Sequence, residues 1–118
     1  MSVPFKVDLS GKVAVVTGGG GVLCSAMAKA LGECGAAVAV ADLKLESAQR
    51  VVDEIKAAGG QGMAVACNAL EKESLEAANA EVEKTLGPVS ILINGAGGNH
   101  PKGTTAMEYL NPDDLLNE

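Results

Sequence analysis

Aromatic side chains are nearly missing from this sequence, with one Phe, one Tyr and no Trp in 118 residues. That leaves nothing to build a base-stacking platform or an aromatic-rich recognition face, and the core must be aliphatic. Basic residues are also few: nine Lys and Arg stand against fifteen Asp and Glu, giving a net charge of -6. The overall field therefore repels nucleic acid and anionic membranes. No run approaches the ~20 apolar residues of a membrane span, and Met1 to Leu9 is polar and charged where a secretory segment needs an unbroken apolar stretch. Three cysteines without regular spacing or a CxxC argue against a disulfide framework and a structural zinc site. A soluble protein of the reducing cytoplasm, holding no metal, is the expectation.

What is abundant is glycine, fifteen residues in all, clustered at Gly18 to Gly21, Gly59 to Gly62 and Gly95 to Gly98. Each cluster touches an apolar run. Val13 to Val16, Ala36 to Ala41, Met63 to Cys67 and Val89 to Ile93 lack polar alternation, which suggests parallel strands buried on both faces. Helical spacing separates them. Val22 to Glu33 carries Leu23, Met27, Ala30 and Leu31 on one stripe, with Met27 filling core. Glu46 to Ala58 carries Ala48, Val51, Val52 and Ile55, and Lys72 to Leu86 carries Leu75, Ala78, Val82 and Leu86. Glycine stops the second and third of these segments. Strands alternating with helices imply right-handed crossovers and an α/β fold with a doubly wound parallel sheet, Rossmann-like, of about four strands and three to four helices. One domain spans the whole chain. The sheet is incomplete, because the last strand has no successor to cover its far side.

Thr17, Gly18, Gly19, Gly20, Gly21, Val22 and Leu23 lie between the first strand and the first helix, where backbone amides and the positive helix end hold a pyrophosphate. A glycine-rich turn with no ligand is the plain alternative. Context favours the ligand: Asp42 ends the second strand roughly 20 residues on, as a dinucleotide fingerprint requires. An Asp there accepts hydrogen bonds from the adenosine ribose hydroxyls, and Leu43 follows it. A 2′-phosphate would meet like charge, so NAD is favoured over NADP, although Lys44 weakens that exclusion. The plain reading of Asp42 is a turn or capping residue.

With these residues in view, the chain resembles the short-chain dehydrogenase/reductase family, whose members carry Thr-Gly-x-x-x-Gly-x-Gly after the first strand and Asn-Asn-Ala-Gly after the fourth. Thr17 and Gly18 match the first motif, and Asn94, Gly95, Ala96 and Gly97 stand at the second. The resemblance covers essentially the whole chain. It implies an NAD(P)-dependent oxidoreductase, with Asn68 and Ala69 where an adenine-contacting Asp-Val often stands; the Asn68 amide would serve the base edge. Val22 and Cys24 replace the last two glycines of the first motif, placing side chains where close helix–strand or cofactor contact is normally made. Gly19 to Gly21 would permit a different loop. Cys24, Cys34 and Cys67 are read as packing residues rather than redox groups.

The segment Ile93 to Thr105, with the Thr17 to Leu23 loop, is similar to the branch of D-mannonate oxidoreductases, or fructuronate reductases. That resemblance implies a sugar acid as the small-molecule substrate. Asn99, His100 and Lys102 follow the fourth strand at the ligand-binding edge, where they would bind its carboxylate and hydroxyls; a surface-loop histidine is the alternative. The family's proton donor is a Tyr-x-x-x-Lys pair aided by a Ser. Here the single Tyr is Tyr109, with Asp113 four residues on, so no catalytic residue is named. The expectation is the cofactor-binding half of a longer enzyme, inactive by itself, whose homo-oligomer surfaces lie beyond Glu118. Two further readings stay open: an inert nucleotide-binding module, and an interaction protein that pairs through the exposed edge of its fourth strand.

Overall fold

Short β-branched and alanine-rich runs leave no polar face to turn toward water, and this sequence solves the problem by stacking helices on both sides of one sheet. The computed structural model describes residues 7–96. In chain order these form β1 (Val13–Thr17), α1 (Val22–Glu33), β2 (Ala37–Asp42), α2 (Leu45–Ala57), β3 (Gln61–Ala66), α3 (Lys72–Thr85) and β4 (Ile91–Asn94). All four strands pair in parallel in the order β3-β2-β1-β4. The register brings Thr17 beside Ala41 on one side and Asn94 on the other, while Asp42 lies beside Ala66. The carboxyl ends of all four strands thus meet at one sheet edge. After β3 the chain crosses back over the sheet to place β4 on the far side of β1, and such a switch point opens a crevice at that edge.

The side-chain period of two sorts each strand between two cores. Ala14, Val16, Val38 and Val40 pack with α1 and α2, whereas Val13, Ala39, Ala41 and Val65 pack with Ala78 and Val82 of α3. Helix α2 buries the expected stripe of Ala48, Val51, Val52 and Ile55. Fully burying one such branched side chain stabilises the fold by about 1.5–3 kcal/mol. Helix α3 buries Ala78 and Val82, with Leu86 packed beside them; Leu75 stays exposed. Gly87 follows with φ +110°, a backbone conformation that ends the helix and that L side chains rarely adopt.

Helix α1 departs from the expected pattern. Its buried residues are Cys24, Ala28 and Gly32, while Leu23 is 74% and Met27 42% exposed, so Met27 does not fill the core. The reason is close approach: a methyl on Gly32 would lie 3.0 Å from Ile55 Cγ2 of α2. Small residues occupy the closest approach, and Leu31 packs at the edge of the same core. The expectation of four strands buried on both faces also fails at the margins, because β3 and β4 are the outer strands. Their burial alternates or lapses, and Leu92 of β4 is exposed on the α3 side of the sheet. Strand bounds shift accordingly. β3 starts at Gln61, with Gly62 admitted where a methyl would lie 2.8 Å from the Val38 carbonyl oxygen. Val89 precedes β4 and packs against the α3 core. Among the described residues there are three helices, and none is long and apolar enough to cross a membrane.

Candidate functional site

The crevice at the carboxyl edge is a cleft of about 870 Å³, within the size range of small-molecule sites. Thr17, Gly18 and Gly21, then Asp42 and Leu43, then Asn68, Ala69 and Leu70, and finally Gly95 and Ala96 line it. Residues from four separate connections therefore converge on one space.

Its floor is the glycine loop. Gly18 has φ +65°, and a methyl on it would lie 2.9 Å from the Gly95 carbonyl oxygen. Gly19 N–H donates to the Ala41 carbonyl at 3.1 Å, and a methyl at Gly19 would lie 2.6 Å from Val40 Cγ1. The loop is thus pressed onto the ends of β1, β2 and β4, and its glycines form a cradle that side chains would fill. Gly21 is the N-cap of α1, with no side-chain cap and no acidic residue in the first turn. The first-turn N–H groups have no side-chain acceptor, which suits them to an anion such as a pyrophosphate. Val22 points away into solvent, 89% exposed, so its replacement of a glycine does not block the loop.

Asp42 ties this floor to one wall. Its Oδ2 accepts the Gly20 N–H at 2.9 Å and its Oδ1 accepts the Lys44 N–H at 2.9 Å. The turn role weighed for Asp42 is therefore realised, at the bond to Lys44. Each carboxylate oxygen can still accept another donor from the cleft side. Lys44, not Asp42, is the N-cap of α2.

Asn68 is committed to its own turn. Its Oδ1 accepts Leu70 N–H at 3.0 Å, its Nδ2 donates to Glu71 Oε1 at 3.2 Å, and its backbone N–H donates to Ser74 Oγ at 2.8 Å. These bonds hold the chain after β3 in place at the cleft wall and leave one amide hydrogen and one Oδ1 lone pair over. Leu70, absent from the sequence-based set, lines the same wall and is 95% exposed. The signal for it was a large apolar residue inside a polar turn. Together with exposed Leu43 it gives the cleft two apolar contacts beside Asp42, suited to a planar base.

The opposite wall hangs from Thr17, 7% exposed. Its Oγ1 accepts N–H bonds from Gly95 at 3.1 Å and Ala96 at 3.3 Å, and donates to the Ile93 carbonyl at 3.4 Å. One buried hydroxyl thereby fixes the exit of β4 against the end of β1. Cys24 packs beneath Gly95, and all three cysteines are free thiols. Asn94 ends β4 at this edge. Gly97, Asn99, His100 and Lys102 lie outside the described residues. Among the described residues no cluster of three or more His, Cys, Asp or Glu could hold a metal ion.

A parallel sheet with its switch point between β1 and β4, and a glycine cradle at the first helix, defines a Rossmann-like α/β domain. The short chain dehydrogenase family profile matches residues 12–117, and the chain belongs to that family. A Bacillus subtilis protein named as the uncharacterised oxidoreductase UxuB is 50% identical over 106 residues, covering 90% of this chain and 38% of its own length. A Haemophilus influenzae protein provisionally named as a D-mannonate oxidoreductase, solved with bound NAD, superposes with TM-score 0.79 at 44% identity over 94% of this chain and 39% of its own. A metagenomic short-chain oxidoreductase in complex with NADP superposes at 0.72 with 37% identity, over 76% of this chain and 41% of its own. The chain thus spans about two fifths of the length of these relatives.

Proposed function

We propose that this chain is the NAD-binding part of a short-chain dehydrogenase-type oxidoreductase acting on a sugar acid of the D-mannonate and fructuronate kind, in the cytoplasm. The observation that carries the cofactor reading is Asp42, held at the cleft wall by the Gly20 N–H with lone pairs left over for a ribose diol. NAD, when bound, supplies the hydride acceptor of such a reaction. The chain's own residues bind and orient it. First-turn amides of α1 take the pyrophosphate, Asp42 takes the adenosine ribose, Leu43 and Leu70 flank the base, and Gly95 and Ala96 support the other half. A 2′-phosphate would be pushed toward the Asp42 carboxylate, and for this reason NAD is preferred to NADP.

The sugar-acid reading is supported by the similarity to the Haemophilus protein and by the loop residues Asn99, His100 and Lys102, whose cation and hydrogen-bond donors suit a carboxylate and hydroxyls. Proton transfer to a ketone oxygen needs a phenol or similar donor with a nearby positive charge. Tyr109 has Asp113 four residues on, so the chain by itself binds the dinucleotide without turnover, as an inert nucleotide-binding module also would. Isothermal titration of the 118-residue chain with NADH and NADPH tests the cofactor role. NADH binding about tenfold or more tighter is expected, from loss of a charge-assisted bond and gain of like charge. Equal affinities remove the role of Asp42; no binding by either overturns the cofactor reading. Turnover of D-mannonate with NAD by this chain alone contradicts the expected inactivity.

A further inference from the structure

Resting on the dinucleotide reading of the cleft, the geometry points to Cys24 and Gly95 as a single positioning element for the half of the ligand that lies over β4. Cys24 sits in the first turn of α1 and is buried. Its Sγ occupies the space in front of Gly95, where an added methyl would collide with it; the same methyl would lie 2.8 Å from the Thr17 carbonyl oxygen and 3.4 Å from Cys24 Cβ. A side chain at position 95 meets the Cys24 thiol first and the Thr17 carbonyl oxygen second. A methyl on Gly18 would in turn lie 3.0 Å from Ala96 Cα. The glycine loop and the first turn of α1 therefore both press on the exit of β4, at Gly95 and Ala96.

Two departures from the family motifs explain each other in this contact. Cys24 adds a side chain where the first motif has glycine, and Gly95 removes one where the second has asparagine. The thiol fills the vacated volume and does not intrude on the cleft. Its effect is to set the height of the Gly95 and Ala96 backbone above the start of α1, a seat that Thr17 Oγ1 completes from the strand side.

The sheet order fixes which half of a ligand would feel this. Asp42 ends β2 on one side of β1 and Gly95 follows β4 on the other. A dinucleotide with its adenosine at Asp42 and its pyrophosphate at α1 runs its second half over Gly95 and Ala96. AMP would occupy only the first side.

A double-mutant cycle on the full chain tests the pair, reading NADH affinity, AMP affinity and the unfolding midpoint for Gly95→Ala, Cys24→Gly and the double variant. Gly95→Ala is expected to weaken NADH about tenfold while AMP stays within about twofold. Adding Cys24→Gly should then recover part of the lost NADH affinity, about threefold, because the thiol no longer meets the methyl while the Thr17 carbonyl oxygen still does. Should Gly95→Ala fail to fold, Cys24→Leu presses the same contact from the helix side and must show the same split between NADH and AMP. Parent-like NADH binding by Gly95→Ala, no recovery in the double variant, or parallel loss of NADH and AMP each overturns the pairing and leaves the cofactor reading standing. A parent chain that binds neither ligand removes the cofactor reading and the pairing with it.

Discussion

Helices α1 and α2 lie side by side on the same face of the sheet, yet they pack by opposite means. Helix α2 sends Val51, Val52 and Ile55 into the core, at the spacing of an ordinary amphipathic helix. Helix α1 sends in Cys24, Ala28 and Gly32 and leaves Leu23 and Met27 outside. The first helix serves the cleft and the second serves the core. A helix whose amino end must sit tightly against the strand ends takes small residues at its closest approach, so Leu23 and Met27 are left at the surface while Leu31 packs at the edge of the core.

The largest expected effect falls on α2. Ile55→Ala removes a fully buried side chain that also meets Gly32 and Gly60, and should cost about 2–5 kcal/mol in urea unfolding. A loss near zero would mean that α2 does not anchor this face. Next comes α1, where Ala28→Leu should cost about 1–3 kcal/mol through overpacking, whereas Met27→Ser on the same helix should stay within about 0.5 kcal/mol. Reversal of that order would restore the stripe first expected from the sequence.

The smallest effect concerns the one ion pair that joins the two helices, Lys29 with Glu54. The hydrogen bond from Lys29, with its charge, holds the Glu54 carboxyl below its usual range. A depressed carboxylate pKa contributes stability that is present at neutral pH and lost as pH falls through the acidic range. Both partners are solvent-exposed, so Lys29→Ala should shift the unfolding midpoint barely measurably at pH 7, and the shift should vanish near pH 3. A shift that grows on acidification would contradict the pairing.

Much of this was legible in the sequence, and the exceptions share a cause. The β-α-β-α-β-α-β order, the α2 stripe and the placement of Asp42 follow from patterns of size and spacing along the chain. The α1 face did not, because hydropathy periodicity tracks large residues and this helix buries small ones. Asn68 lines the cleft at the position associated with the base, and its amide also braces the turn before α3, a local bonding that side-chain type alone does not reveal. Leu70 was overlooked because a large apolar residue in a polar turn points to no ligand until the turn is placed at the cleft wall. Cys24 and Gly95 read as unrelated departures from two motifs, since only the parallel pairing of β1 with β4 brings them together.

The central claim is that one dinucleotide spans the carboxyl edge of the sheet from β3 to β4. Backbone amide NMR of the isotope-labelled chain during titration with NADH tests it directly. The account requires shifts at Gly18 to Leu23, at Asp42 and Leu43, at Asn68 to Leu70, and at Gly95 and Ala96, with little change elsewhere. Shifts centred instead on the groove between α1 and α2, around Lys29, Gly32 and Gly60, or none at saturating NADH, would contradict it.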